Sequence, residues 1–223
     1  MAPSDRAPVI FDLDGTVWDS APGIVSCMSA TLAELGLPDP GATALGGMLG
    51  PPLLAMLSGI GVPDDRLDDA RVVYRRHYRE HGELECRVYD GVPELLDRLR
   101  ADGRATATAT SKGVEPVERM LDHFGLRDRF DIVEAASMTQ GGHSKIDIIG
   151  EAMAGLEAIG APATSATMVG DRIYDIEGGR HFGLRTIGVR WGYAPDGELD
   201  ASGATALAET VDDLTNLLLL RTQ

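Results

Sequence analysis

Val9-Ile10-Phe11-Asp12-Leu13-Asp14-Gly15-Thr16 decides how the rest of the chain is read. An apolar run passes straight into two carboxylates spaced two apart, and then into Gly-Thr. A short continuous apolar run ahead of a glycine is the pattern of a parallel strand buried on both faces. Asp12 and Asp14 then fall where that strand ends, and in open α/β sheets ligands bind beyond the carboxyl ends of the strands. While the chain stays extended, a spacing of two points both side chains to one side. Gly15 lets the backbone leave the sheet sharply. Two carboxylates this close repel as anions, so the pair implies a cation between them or a shared proton. The competing reading is an Asx turn that caps the strand, because Asp is a common turn residue.

The composition is that of a globular protein, with 43% hydrophobic and 25% charged residues. A length of 223 residues is enough to bury a sizeable core, as one large domain or as a core with a smaller inserted domain. The formal net charge of −15 would repel nucleic-acid phosphates and anionic lipid, so neither is an expected partner. If the substrate is itself an anion, the site must supply positive charge that the protein as a whole lacks. Cys27 and Cys86 have no metal-ligand spacing and make no disulfide framework, which fits a reducing cytosol. No apolar run approaches the length of a membrane span, and Met1-Ala2-Pro3-Ser4-Asp5-Arg6 has no apolar signal core. The expectation is a soluble, cytoplasmic protein.

From Ser20 to about Arg87 the strand signal vanishes. Ile24, Val25, Met28, Leu32 and Leu35 recur near helical spacing, closed by Gly36. Gly50-Pro51-Pro52 breaks the chain ahead of a second helix carrying Leu53, Leu54, Met56 and Leu57, ended by Gly59 and Gly61. Asp64 and Asp65 precede a third helix that runs through Tyr74 to about His81. After Tyr89 the pattern alternates. Helices are expected over Glu94–Arg100, Glu115–Phe124 and Lys145 to about Ile159. Strands are expected over Arg104–Ala109, Phe130–Val133, Ala166–Val169 and Arg185–Val189. Gly141-Gly142 marks a loop. The Leu217–Leu220 run reads as a helix end packed on the core. Alternating strands and helices imply βαβ units, a parallel sheet and right-handed crossovers. The expected architecture is an α/β protein: a Rossmann-like parallel sheet flanked by helices, formed by residues 1–16 and 88–223, with an inserted α-helical cap over 17–87.

Three further strand or loop ends join the first: Thr110-Ser111, the loop before Lys145, and Asp171 with Asp175. Each is weak alone. A Ser or Thr after a strand is usually a helix N-cap, a lone Lys is usually solvated, and Gly-Asp is often a turn. Their weight lies in one sheet presenting carboxylates, hydroxyl and ammonium together.

The order Asp-Leu-Asp-Gly-Thr, Thr-Ser-Lys, Lys, Gly-Asp-x-x-x-Asp resembles the haloacid dehalogenase superfamily of hydrolases, and the inserted helices resemble its first cap type. Asp19-Ser20-Ala21-Pro22-Gly23, Gly50-Pro51-Pro52-Leu53, Val169-Gly170-Asp171-Arg172 and Gly188-Val189-x-Trp191-Gly192-Tyr193 resemble its phosphoglycolate phosphatase-like and 5′-nucleotidase-like branch. The resemblance implies a Mg²⁺-dependent phosphatase. Asp12 would be the nucleophile that forms an aspartyl-phosphate, and Asp14 the general acid and base. Thr110, aided by Ser111, would hold phosphoryl oxygens, and Lys145 would neutralise their charge and orient Asp12. Mg²⁺ would be held by Asp12, the Asp14 carbonyl and Asp171, with Asp175 orienting a metal-bound water or Lys145, or ligating directly.

A small phosphorylated metabolite is the expected partner, phosphoglycolate first and a nucleoside 5′-monophosphate second, for a monomer or homodimer. A phosphomutase of the β-phosphoglucomutase kind and a catalytically idle regulatory protein are the rival readings. The links at Val17–Ser20 and Arg87–Tyr89 are expected hinges. Tyr74, Arg75, Arg76, His77 and Arg79 either meet an anionic substrate tail or form a solvated basic face. Trp18, where the family usually has Leu, either shapes the pocket or packs. Trp191 either lines the entrance or packs. Gly178-Gly179, in place of the usual Ala pair, is expected to weaken its helix by roughly 1–2 kcal/mol.

Overall fold

The computed structural model describes residues 6–137 and 143–219. The Gly141-Gly142 loop, residues 1–5 and Leu220 lie outside the described residues. The chain begins with β1 (Val9–Phe11) and β2 (Trp18–Asp19), followed by α1 (Ala21–Glu34), α2 (Ala42–Gly46), α3 (Leu53–Gly59) and α4 (Leu67–Glu80). It continues through β3 (Arg87–Val88), α5 (Val92–Ala101), β4 (Thr106–Gly113), α6 (Val114–His123) and β5 (Ile132–Ala136). The last part holds α7 (Lys145–Ala158), β6 (Thr167–Gly170), α8 (Ile173–His181), β7 (Arg185–Val189), α9 (Glu198–Ala201), β8 (Ala206–Ala208) and α10 (Val211–Leu219).

Six strands form one sheet in the order β5-β4-β1-β6-β7-β8, and every pairing in it is parallel. β1 lies between β4 and β6, with Ile10 opposite both Ala107 and Met168. Val9, Ile10 and Phe11 are buried, as expected for a strand covered on both faces. The chain builds outward from β1 to β4 and β5, then returns to place β6 on the other side of β1. The order therefore reverses at β1, and a crevice opens at its carboxyl end.

The helical block between β2 and β3 packs around its own apolar cluster, which includes Met28, Leu32, Leu57, Tyr74 and Tyr78. Both connections to the sheet pass through one small antiparallel ribbon, in which Trp18 faces Val88 and Asp19 faces Arg87. Sequence periodicity does not reveal a two-residue ribbon. The same holds for the short β8. Strand β4 runs past its expected end at Ala109 to Gly113, with a register break against β5 between Thr110 and Gly113. That extension keeps Thr110 on the strand and turns the following residues toward the crevice.

Gly178 and Gly179 have a packing role that propensity alone misses. A Cβ at Gly178 would meet Ile149 Cδ1 at 2.6 Å, and one at Gly179 would meet Thr186 Cγ2 at 2.7 Å and Met168 Cβ at 2.9 Å. The glycines let α8 lie close against α7 and the sheet. Gly179→Ala should therefore lower stability by about 1–2 kcal/mol in urea unfolding, because overpacking outweighs the better helix propensity of Ala. A rise in the urea midpoint would contradict this packing account.

Candidate active site

Asp12 leaves the sheet still held by it, its amide donating to the Val169 carbonyl at 2.9 Å. Lys145 is the first residue of α7, whose start is fixed by a capping box between Ser144 and Asp147. From there its ammonium reaches Asp12 Oδ1 at 2.6 Å, Asp175 Oδ1 at 2.8 Å and the Ala109 carbonyl at 2.7 Å. Three acceptors match its three protons. Asp171 follows the last residue of β6, is fully buried, and its carboxylate accepts from the Tyr193 amide at 2.7 Å. Gly15, at φ +83°, and Gly192 pass so close that a Cβ on either would collide with Asp171. Asp175, in the first turn of α8, accepts the Arg172 amide at 3.0 Å.

The carboxylates of Asp12, Asp171 and Asp175 are buried and can place an oxygen each within 4.8 Å of one another. Lys145 alone cannot balance three such charges. Burial pushes the Asp12 carboxyl up to about 7 against the pull of Lys145, with Asp175 and Asp14 adding to the rise. Burial, Asp12 and Asp175 likewise push Asp171 well above the ordinary carboxylate range. An all-oxygen donor set short of positive charge fits a hard divalent cation of the Mg²⁺ kind. Asp175 is part of this cluster, closer to the centre than a purely outlying orienting role requires.

Asp14 is clamped from the link after β1. Its Oδ1 accepts from Trp18 Nε1 at 2.8 Å and from Ser20 Oγ at 2.5 Å. Trp18 thus does both things proposed for it: it is fully buried in the core and it touches the site. Asp12, Asp14, Thr110, Ser111, Lys145 and Asp175 line one cleft, while Asp171 sits behind it with Asp12. The helical block supplies the opposite wall through Ile24, Pro51, Leu53, Met56 and Tyr74.

Of the basic stretch on α4, only Tyr74 lines the cleft. Arg76 and His77 pair with Glu34, and Arg79 is exposed, so the solvated-face reading describes this helix. Trp191 packs edge-on against Tyr89 and donates to the Thr16 carbonyl at 3.2 Å, away from the lining. Sequence reasoning assigned no role to Lys112, Arg172 or Tyr193, all of which line the cleft. Lys112 Nζ lies 3.2 Å from Asp14 Oδ2. Arg172 is bound by Glu198 at 2.8 and 3.0 Å and reaches the Leu49 carbonyl of the helical block. The available signal was position: Lys112 follows Thr110-Ser111, and Arg172 follows Asp171.

The pattern of the haloacid dehalogenase-like hydrolases matches residues 9–189. The chain belongs to this family. It is 36% identical over 212 residues to the tyrosine-protein kinase PtkA of Mycobacterium tuberculosis, covering 94% of this chain and 72% of that one. It is 33% identical over 198 residues to a 5′-nucleotidase of Pseudomonas aeruginosa, covering 88% of each. The crystal structure of a predicted phosphatase from Clostridium acetobutylicum superposes with a TM-score of 0.87 at 32% identity, over 97% of this chain and 99% of that one. With these homologues and structural neighbours, the chain is a phosphatase-type hydrolase of the haloacid dehalogenase family. Among the described residues, no helix is long and apolar enough to cross a membrane.

The raised Asp12 carboxyl carries a pH signature. Its folded-state value of about 7 lies above the ordinary 3.8, so the metal-free fold binds this proton more tightly than the unfolded chain does. Its contribution to stability is full below the unfolded value and is lost as pH rises through the folded one. A divalent cation bound in the cluster would take the place of the proton. Mg²⁺ should therefore raise the melting temperature by several degrees at about pH 8 and by far less at about pH 5 in thermal unfolding. Equal shifts at both pH values would contradict the cation-deficient cluster.

Proposed function

We propose that this protein hydrolyses a small phosphomonoester in two steps through an aspartyl-phosphate on Asp12. The observation that carries the reading is Asp12 held by Lys145 at 2.6 Å inside a carboxylate cluster, with Asp14 in the same cleft. Asp12 attacks phosphorus, the bond to the leaving oxygen breaks, and Asp14 gives that oxygen its proton. Asp14, now a carboxylate, takes a proton from water as the water attacks phosphorus, releasing phosphate and restoring Asp12. Thr110 and Ser111 hold phosphoryl oxygens, and Lys145 offsets their charge while fixing Asp12. Mg²⁺, held by Asp12, Asp171 and the Asp14 carbonyl, would add charge neutralisation when bound. Asp175 orients Lys145. Residues 17–87 act as the cap that excludes water.

The leaving group faces Ile24, Pro51, Leu53, Met56 and Tyr74, a wall without charge. The remaining cations in the cleft are engaged, Lys112 by Asp14 and Tyr78, and Arg172 by Glu198 and the Leu49 carbonyl. Among the described residues that line the cleft, none offers the carboxylate of phosphoglycolate an open cation. The lining favours an uncharged leaving group with apolar or aromatic surface. A nucleoside monophosphate therefore moves ahead of phosphoglycolate. Kinase chemistry like that named for the mycobacterial relative would need a nucleoside triphosphate donor and a tyrosine acceptor, which the same assay can include.

The test is Mg²⁺-dependent phosphate release across nucleoside monophosphates, phosphoglycolate, sugar phosphates and an aryl phosphate, with ATP plus a tyrosine peptide as a further arm. Nucleoside and aryl esters should exceed phosphoglycolate in kcat/KM. Asp12→Asn should lower kcat by roughly 10³-fold or more without lowering the melting temperature, because the covalent route is lost. Folded, Mg²⁺-supplied protein that turns over none of the esters would overturn the proposal. Activity unaffected by Asp12→Asn would do the same.

A further inference from the structure

Lys112 sits just past Thr110 on β4, its side chain 9% exposed. Its ammonium touches two parts of the molecule at once. In the core it lies 3.2 Å from Asp14 Oδ2. From the helical block, Tyr78 on α4 accepts its proton at 2.6 Å, and the ammonium stands 4.4 Å from the Tyr78 ring centroid. Tyr78 is buried, stacks on Tyr74 at 5.6 Å and donates to Met120 Sδ at 3.8 Å in α6. Asp14 is therefore held from two directions. The link after β1 holds Oδ1 through Trp18 and Ser20, and Lys112 holds Oδ2.

We propose that Lys112 and Tyr78 form a latch through which seating of the helical block on the core sets the orientation of Asp14. Lys112 is a positioning residue in this scheme. A lysine is a point charge on a flexible four-carbon stem, so one contact does not fix it. Tyr78 supplies the second contact, and only while α4 is down on the core. When the block lifts, the hydroxyl and ring leave together, and Asp14 keeps only its Oδ1 clamp. The acid-base group is then complete only when the cleft is shut, which ties its readiness to water exclusion. Arg172 to the Leu49 carbonyl and Arg119 to Glu83 at 2.6 and 2.8 Å also cross this boundary. Neither touches Asp14, so they hold the block without reporting its position to the reacting group.

The catalytic arm of the test rests on the phosphatase reading; a spectroscopic arm does not. Tyr78→Phe keeps the stacked ring and removes the hydroxyl, Lys112→Met removes the charge, and Lys112→Arg restores it. In the catalytic arm, kcat/KM is compared for an alkyl phosphate and for p-nitrophenyl phosphate, whose phenolate leaves without a proton. Tyr78→Phe and Lys112→Met should lower the alkyl value by roughly tenfold, part of the hundredfold or more that a positioned acid contributes. The aryl value and inhibition by inorganic phosphate should change by less than about twofold. Lys112→Arg should recover part of the loss. In the spectroscopic arm, the chain has two tryptophans, so the Trp18 indole N–H resonance is assigned by one Trp18→Phe spectrum. Tyr78→Phe should move that resonance through Asp14 and leave Trp191 unmoved. Equal losses on both esters, weakened phosphate inhibition, or a Trp18 resonance that stays in place would each overturn the latch. Wild-type protein that hydrolyses neither ester would overturn the phosphatase reading, and the indole resonance would still decide the latch.

Discussion

A single ammonium set among three buried carboxylates governs this molecule. Lys145 satisfies all its protons on Asp12, Asp175 and a backbone carbonyl, yet leaves the cluster two charges short. Buried charge without a partner is costly, so the fold has a standing demand for a cation and, with it, for an anion that the cation attracts. This resolves the puzzle of an acidic protein acting on a phosphate. The net charge of −15 belongs to the whole chain, whereas a divalent cation held by the cluster would supply positive charge at the reacting centre. Much of the surrounding detail serves that cluster. The capping box fixes where α7 begins and hence where Lys145 points, and two glycines clear the space around Asp171.

Topology brings these groups together at little structural cost. β1 lies where the strand order reverses, so the ends of β1, β4 and β6 face one crevice. The helical block is inserted directly after the first of those ends. Its two connections pair as a ribbon from which Trp18 donates to Asp14, and the next residue, Ser20, donates its amide to the Tyr193 hydroxyl at 2.8 Å. A movement of the block would therefore be felt at Asp14 from the hinge side as well as from α4. Such coupling would make bond-breaking groups available when water has been excluded, which suits a hydrolase that must choose its leaving group before it admits water.

What was legible in the sequence follows a physical division. Asp12, Asp14, Lys145 and Asp171 stand at strand or helix ends, Asp14 and Asp171 each beside a glycine, and local pattern marks such positions. The strands and helices of the sheet were visible for the same reason, since burial on two faces leaves a continuous apolar run. Lys112 was invisible because its meaning depends on Tyr78, 34 residues away on a different element. Arg172 depends on Leu49, 123 residues away. The basic face of α4 misled in the opposite direction: its charges look like an anion site in one dimension, but Arg76 and His77 are taken up by Glu34. Gly178 and Gly179 look like helix weaknesses until the neighbouring Ile149 and Met168 are seen to leave no room for a Cβ.

On the proposed route Asp12 bonds covalently to phosphorus. The direct measurement is acid-quenched turnover of a labelled phosphomonoester, with the trapped acyl-phosphate reduced by borohydride and located by peptide mass spectrometry. The label, and after reduction the converted side chain, should be found at Asp12 and be absent from Asp12→Asn protein. Label on a serine, threonine or histidine, or full turnover with no phosphorylated enzyme at any quench time, would contradict it.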